Sequence, residues 1–204
     1  MKFPENISEI SSLQPDLMGF IFYIKSKRFV GKNFSKDAMK LIPERVKKVG
    51  VFVNESFENI MAKYETYELD LLQLHGDESV QLCQQLWDKH IPVIKAMPVD
   101  DGFEPDLLKA YQPYCSYFLF DTKTAGFGGS GQTFDWRNLE KYKLETPFLL
   151  SGGLGIENIE EVLNLEHPML QAVDLNSRIE SKPGLKEREV SMAIIQKIRN
   201  HEHI

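Results

Sequence analysis

The stretch that decides the fold is Cys115-Ser-Tyr-Phe-Leu-Phe-Asp121, an apolar run that ends in a carboxyl group. A strand that is apolar on both faces, rather than alternating, is typical of a parallel sheet covered by helices. Six similar runs lie at 16–22, 47–53, 69–75, 91–97, 147–150 and 170–175. The sequence therefore predicts seven parallel strands.

Helical patterns lie between these runs. Ser35, Ser56 and Ser79 are typical N-cap residues, and each precedes a segment with helical spacing of apolar side chains. The pattern predicts helices over 4–13, 36–41, 57–64, 80–87, 159–163 and 186–201. Strand and helix alternate without a Gly/Ser-rich linker or a change of composition. We therefore expect one α/β domain spanning residues 1–204.

Two architectures fit this alternation, an open doubly wound sheet and a closed (β/α)₈ barrel, also called a TIM barrel. Repeating units of about 25 residues favour a compact barrel of minimal size. Only seven strands are predicted, and the chain opens with a helical segment, so the absent strand is the first. Loss of one strand leaves two unpaired edges. We expect a gap, a distortion or intermolecular pairing at that position.

Composition excludes several classes of protein. The chain has 24 Lys and Arg against 30 Asp and Glu, with the charges interspersed, which argues against binding to nucleic acid or to a membrane surface. The longest uncharged apolar stretch, 17–24, is far shorter than the roughly 20 residues of a membrane span. Two cysteines, Cys83 and Cys115, are too few for a disulfide framework or a zinc cluster. With no signal-peptide pattern, we predict a cytoplasmic protein with both thiols in the core.

The predicted barrel directs attention to the ends of its strands, because barrel active sites lie at the carboxyl ends. Asp121 ends the fifth visible strand, between Phe120 and Phe127, where a carboxyl group can retain its proton and act as a general acid. The alternative is that Asp121 only caps its loop. The glycine-rich segment 126–131 that follows predicts a closing lid or a set of amides for an anion.

A pair of loops predicts a phosphate site. Ser151-Gly152-Gly153 and Asn176-Ser177 follow the last two predicted strands, the positions from which barrels commonly bind phosphate. Glycines let backbone amides approach the phosphate oxygens. Either loop alone could be a tight turn, whereas the two together favour phosphate.

Three further residues are predicted to line the site. Arg28 follows the first visible strand, and its guanidinium suits bidentate capture of a carboxylate or phosphate, the alternative being a solvated surface charge. Gln73 and His75 end the third strand. A lone histidine there is more often a hydrogen-bonded structural group than an acid or base, so we assign both only a lining role.

Taken together, these segments resemble the phosphoribosylanthranilate isomerase family, over almost the whole chain. The resemblance lies in several runs that are specific only in combination. They are Asp16-Leu-Met-Gly-Phe-Ile-Phe-Tyr23, Ser26-Lys-Arg-Phe-Val30, Lys48-Val-Gly-Val-Phe-Val-Asn54, Leu72-Gln-Leu-His-Gly-Asp-Glu78, Leu119-Phe-Asp-Thr-Lys-Thr124, Gly128-Gly-Ser-Gly-Gln-Thr-Phe-Asp-Trp136, Leu150-Ser-Gly-Gly-Leu154, Val173-Asp-Leu-Asn-Ser177 and Lys182-Pro-Gly-Leu-Lys186.

The resemblance implies a (β/α)₈ barrel of tryptophan biosynthesis that works without a cofactor or metal. It would convert N-(5-phosphoribosyl)anthranilate to the aminodeoxyribulose phosphate by an Amadori rearrangement, as a monomer or homodimer. By position, Asp121 would protonate the ring oxygen and Arg28 would hold the anthranilate carboxylate. The phosphate would lie against Gly152, Gly153, Asn176 and Ser177.

The chain departs from the family pattern in two places. The family's base is a cysteine in a Cys-Gly pair that ends the first strand, and neither Cys83 nor Cys115 matches it. Arg178 stands where the family often has glycine. We hypothesise that the natural protein begins upstream and that this chain lacks the strand and base. The rival hypotheses are a non-catalytic barrel that binds a phosphorylated ligand and another phosphosugar enzyme of the tryptophan or histidine pathways.

Overall fold

A computed structural model describes residues 1–100, 102–122 and 135–201. Its main feature is a seven-stranded sheet whose strands follow one another in chain order, every neighbouring pair parallel. The strands are β1 (Leu17–Ile21), β2 (Lys47–Phe52), β3 (Leu71–Leu74), β4 (Val93–Val99), β5 (Tyr117–Thr122), β6 (Phe148–Leu150) and β7 (Leu170–Val173). All seven predicted strands are confirmed.

Helices connect the strands. The α-helices are α1 (Pro4–Ser11), α2 (Phe57–Tyr67), α3 (Val80–Trp87), α4 (Ile159–Leu163) and α5 (Arg188–Arg199). Shorter 3₁₀ segments cover Lys36–Leu41, Pro105–Ala110, Gln112–Tyr114, Trp136–Lys141 and Ser177–Ile179. The predicted N-caps are confirmed, because the side chains of Ser35, Ser56 and Ser79 each accept a hydrogen bond from a backbone amide in the first turn.

No helix in the described parts of the chain combines the length and the apolar character needed to cross a bilayer.

The sheet curls into a half-barrel with apolar side chains on both faces. An inner core of Val49, Leu71, Ile94, Ala96, Leu119 and Leu149 faces the inside of the curl. A larger outer core fills the space between the sheet and the helices, and it includes Phe118 and Phe120. Successive residues of β5 therefore point to opposite faces. Burial on both faces explains why the strands read as continuous apolar runs.

The two end strands, β1 and β7, are not paired with each other in the described sheet. Both line one cavity of about 920 Å³, to which β1 contributes Leu17 and Gly19 and β7 contributes Ala172. Two hydrogen bonds from separate groups reach the free edge of β1 in the described residues. The amide of Val30 donates to the Ile21 carbonyl at 3.0 Å, and the α-amino group of Met1 donates to the Gly19 carbonyl at 2.5 Å.

One predicted helix start is wrong, and the helices predicted over 4–13, 57–64 and 186–201 end at Ser11, Tyr67 and Arg199. The helix expected to begin at residue 186 begins at Arg188, because Leu185–Lys186 forms strand β9 of a hairpin with β8 (Glu180–Lys182). Asn6 of α1 explains the difference. Its side chain donates to the Lys186 carbonyl at 2.9 Å and accepts from the Lys186 amide at 2.8 Å, as a neighbouring strand would.

Candidate active site

Asp121 and His75 meet at the carboxyl end of the sheet. His75 Nε2 lies 3.2 Å from Asp121 Oδ2, and both side chains are largely buried, 15% and 10% exposed. The Gln73 amide nitrogen lies 2.7 Å from His75 Nδ1. An amide nitrogen can only donate, so Nδ1 accepts, and the ring proton on Nε2 donates to Asp121. Gln73 thus orients the imidazole, and the imidazole orients the carboxyl group.

The other oxygen of Asp121 faces the loop after β6. Oδ1 accepts the Thr122 amide at 2.9 Å. Gly152 has φ +93°, and a Cβ built there would lie 2.9 Å from Asp121 Oδ1 and 2.3 Å from Thr122 Oγ1. Only glycine allows this close approach. The predicted phosphate loop is therefore packed directly against the predicted acid.

The expected surroundings of Asp121 are only partly as predicted. Phe120 does not face the cavity, because it points to the outer core and packs against Phe103 and Phe148 with ring centroids 5.2 and 4.9 Å apart. Alternation along β5 places Phe120 and Asp121 on opposite faces. Phe127 and the predicted lid over 126–131 lie outside the described residues.

The loop after β6 is hydrogen-bonded to the residue before α4 and to the residue after β7. Gly153 also has a positive φ, +62°, and its carbonyl accepts the Asn158 side-chain amide at 2.9 Å. The Ser151 hydroxyl donates to Asp174 Oδ2 at 3.0 Å, joining the ends of β6 and β7. Backbone that is held in this way can present amides at fixed positions.

A buried charge cluster lies at the other side of the cavity. The Lys186 ammonium donates to the Asn176 carbonyl and side-chain oxygens at 2.9 and 2.7 Å and to Glu180 Oε1 at 3.0 Å. Arg28 Nε donates to Glu180 Oε2 at 2.8 Å. One carboxylate thus bridges two cations, and Glu180 uses the Nε of Arg28 but not its terminal nitrogens. Those nitrogens suit a second carboxylate.

Burial shifts the pKa of two amino groups at this cluster. Removal from water lowers the pKa of the Lys186 ammonium, and the Glu180 carboxylate opposes that shift. The α-amino group of Met1 faces the same charges. Burial, reinforced by the Lys186 charge, lowers the pKa of the amine to about 5.

The predicted site residues are brought together in part. The cavity is lined by Arg28, Gln73, His75, Asp121 and Asn176. Gly152 and Gly153 follow β6, and Ser177 follows β7. None of these three residues lines the cavity. The two cysteines, Cys83 and Cys115, are buried and free, as predicted.

Sequence reasoning assigned no role to Glu180 and Lys186. Both lie in the β8–β9 hairpin rather than at the carboxyl end of a strand of the seven-stranded sheet. The available signal was the run Lys182–Lys186, which resembled the family without a function being attached to it. Arg178 does not line the cavity, and its guanidinium pairs with Glu157 in the loop after β6.

Comparison with known proteins places this geometry in a family. The model of the N-(5'-phosphoribosyl)anthranilate isomerase family matches residues 2–197. A relative from Parabacteroides distasonis, named N-(5'-phosphoribosyl)anthranilate isomerase, is 46% identical over 202 residues, 97% of this chain and 90% of its own.

Solved structures agree. The phosphoribosyl anthranilate isomerase of Thermotoga maritima is 32% identical, with a TM-score of 0.85 over 98% of this chain and 96% of its own. Another is a phosphoribosyl anthranilate isomerase in complex with reduced 1-(o-carboxyphenylamino)-1-deoxyribulose 5-phosphate. It is 29% identical, with a TM-score of 0.81 over 98% and 95% of the two chains.

These matches confirm the resemblance drawn from the sequence motifs. The chain belongs to the N-(5'-phosphoribosyl)anthranilate isomerase family.

Proposed function

We propose that the cavity binds N-(5'-phosphoribosyl)anthranilate and that Asp121 is the general acid of its Amadori rearrangement, a step of tryptophan biosynthesis. The observation that carries this proposal is the position of Asp121. Its carboxyl group is held by His75 at 3.2 Å and lies in the same cavity as Arg28 and Asn176. A proton donor that shares a cavity with groups able to bind anions is what a substrate with a carboxylate and a phosphate requires.

The chemistry assigns each group a task. Protonation of the ribose ring oxygen by Asp121 lets the C1–O bond break, while the nitrogen lone pair forms the C=N bond of a Schiff base. Removal of the C2 proton by a base then gives an enol, and its tautomerisation gives the amino ketone. Substrate, intermediates and product have the same atoms, so no redox partner is needed.

We assign the two anionic ends of the substrate to two different sets of residues. We assign the anthranilate carboxylate to Arg28, whose terminal nitrogens project from its pair with Glu180. The phosphate is assigned to four residues of the last two strand loops. They are Gly152, Gly153, Asn176 and Ser177. The Lys186 ammonium, bonded to Asn176, adds positive charge behind that loop.

We further propose that an eighth strand closes the barrel and supplies the base. An eighth parallel strand fits between β7 and β1, where both edges face one cavity. The carbonyl of Gly19 points to that gap, as its contact with Met1 indicates. We propose that such a strand completes a single barrel domain over residues 1–204 and carries the catalytic cysteine at its carboxyl end.

One observation favours a non-catalytic alternative, a barrel that binds a phosphorylated ligand. Cys83 and Cys115 both lie in the outer core, so neither thiol of the chain reaches the cavity. Without a supplied base, the chain would retain the anion sites and bind product without turnover.

Turnover of phosphoribosylanthranilate decides between the two. The chain should be compared with a version extended at its N-terminus by one strand ending in Cys-Gly, and with a matched extension ending in Ser-Gly. Turnover by the Cys-Gly form alone supports the proposal. Turnover by none of them, with the product still bound, supports the non-catalytic barrel.

Two free, buried thiols fit the reducing cytoplasm, where we place the reaction. We propose a monomer or a homodimer, which light scattering of the extended and unextended chains distinguishes.

A further inference from the structure

A buried ion pair on the outer side of the sheet has no part in the mechanism above. Lys95 of β4 and Glu78, just before α3, approach to 3.1 Å with side chains only 2% and 1% exposed. Ile94 and Ala96 belong to the inner core, so Lys95 points the opposite way. Neither partner lines the cavity. The pair therefore acts on the site only through other residues.

The Lys95 ammonium holds the backbone on both sides of His75. It donates to the Leu74 carbonyl at 3.3 Å and to the Gly76 carbonyl at 2.7 Å, the residues immediately before and after the histidine. It also donates to the Ala96 carbonyl at 2.9 Å. A single charge thus binds the peptide group that precedes His75 and the one that follows Gly76.

Glu78 holds the same loop through its carboxylate. We call Lys95 and Glu78 together the clamp. Its carboxylate accepts the Gly76 amide at 2.9 Å and the Asn54 amide at 2.9 Å. The turn is also tightly packed, because a Cβ on Gly76 would lie 2.5 Å from Asn54 Oδ1. The loop that carries His75 is therefore bonded to the loop after β2 as well as to β4.

We propose that Lys95 and Glu78 are positioning residues, which hold His75 so that its Nε2 stays bonded to Asp121 Oδ2. The path has two noncovalent steps, from the ammonium to the two carbonyls and from the imidazole to the carboxyl group, joined by the covalent bonds of the loop and of His75 itself. The catalytic meaning of this device rests on the proposed function, whereas the placement of His75 does not.

The test uses the ring-nitrogen signals of His75 in the full chain, assigned by NMR with a His75→Asn variant. In the parent, Asp121→Asn should change those signals, because it replaces the acceptor of Nε2–H. In the charge-neutral double variant Lys95→Met/Glu78→Gln, the same substitution should produce at most about a third of that change, as coupled sites do when their link is removed. An undiminished change overturns the proposal.

Tyr111→Phe is the matched control. The Tyr111 hydroxyl donates to the Glu78 carbonyl at 3.0 Å, so its loss perturbs the same turn and leaves the ion pair intact. The full response to Asp121→Asn should survive in that variant. If the double variant does not fold, Glu78→Gln alone, which keeps Lys95 and the side-chain shape, serves in its place with the same expected direction.

A kinetic measurement joins the clamp to the reaction. In the chain extended with the Cys-Gly strand, Lys95→Met/Glu78→Gln should lower kcat about tenfold or more and change KM by less than about twofold. A higher KM with unchanged kcat contradicts a positioning role. Absence of turnover in the extended parent refutes the proposed function instead, and the NMR result still decides the placement of His75.

Discussion

The two sides of the half-barrel are built differently. Between β3 and β5, buried polar groups are paired, from Lys95 and Glu78 to His75 and Asp121. Between β7 and β1, two strand edges face a cavity of about 920 Å³, and the Met1 amine reaches across to β1. The buried charges on this side, Arg28, Glu180 and Lys186, are held by a loop and the β8–β9 hairpin rather than by paired strands of the sheet. Closed strand pairing holds Asp121, the proposed acid, whereas the open side is where we propose the strand that would carry the base.

Under the proposed function, this contrast places the acid and the base in different parts of the sheet. An acid on β5 is positioned by neighbours that the described chain already supplies. A base facing it from the gap needs a strand, because a side chain can be aimed into a barrel only from a backbone that is itself paired.

The largest expected effect is on the closed side. In the extended chain that carries the Cys-Gly strand, Asp121→Asn should lower kcat by about 10² to 10⁴, the range for loss of a general acid. The asparagine keeps the shape but has no proton to deliver to the ring oxygen. Steady-state assays check this, and Asp77→Asn, in the loop that carries His75, is the control. Retention of more than a tenth of the activity would refute the assignment of Asp121.

The next effect separates the buried pair from surface pairs. Lys95→Met leaves the Glu78 carboxylate buried without its cation, which should lower the free energy of unfolding by about 3–5 kcal/mol. Lys47→Met, which breaks a solvent-exposed pair with Asp70, should cost no more than about 1 kcal/mol. Urea unfolding measures both. Equal losses would contradict the distinction.

The open side should show itself in the pH dependence of stability. Burial lowers the pKa of the Met1 amine from 8.0 to about 5, so between these values the unfolded chain binds a proton that the folded chain does not. The free energy of unfolding should therefore rise from pH 5 to pH 8, by up to about 4 kcal/mol. In the extended chain this nitrogen is an amide, and the rise should be smaller. The same slope in both chains would show that other groups cause it.

The smallest expected effect is at Gly152, in the loop after β6, the strand that lies between the two sides. Gly152→Ala places a methyl group against Thr122 and Asp121, and we expect a loss of about 1–3 kcal/mol in stability together with weaker binding of inorganic phosphate. Gly31→Ala is the matched control, because Gly31 has φ +106° with nothing within 4 Å of the added Cβ. Calorimetry on both variants separates backbone strain from the close contact. Equal phosphate affinity in the two would contradict a role for the Gly152 loop.

Much of the fold could be predicted from local sequence. Continuous apolar runs identified all seven strands, because parallel strands are buried on both faces. Serine N-caps identified helix starts at Ser56 and Ser79, because capping is a local interaction. Motifs along the whole chain identified the family.

What local sequence could not supply are contacts between residues far apart in the chain. Lys95 and Asp121 both lie in apolar parallel strands, yet the Lys95 side chain points outward and the Asp121 side chain points into the cavity. Glu180 binds Arg28, which is 152 positions away in the chain. Strand pairing and curl decide these contacts. The sequence by itself therefore determined the strands and the family, because these depend on periodicity and motif, and it singled out Asp121 as the proposed acid. Only the tertiary structure decided which charges meet, because burial and distance are properties of the packed chain.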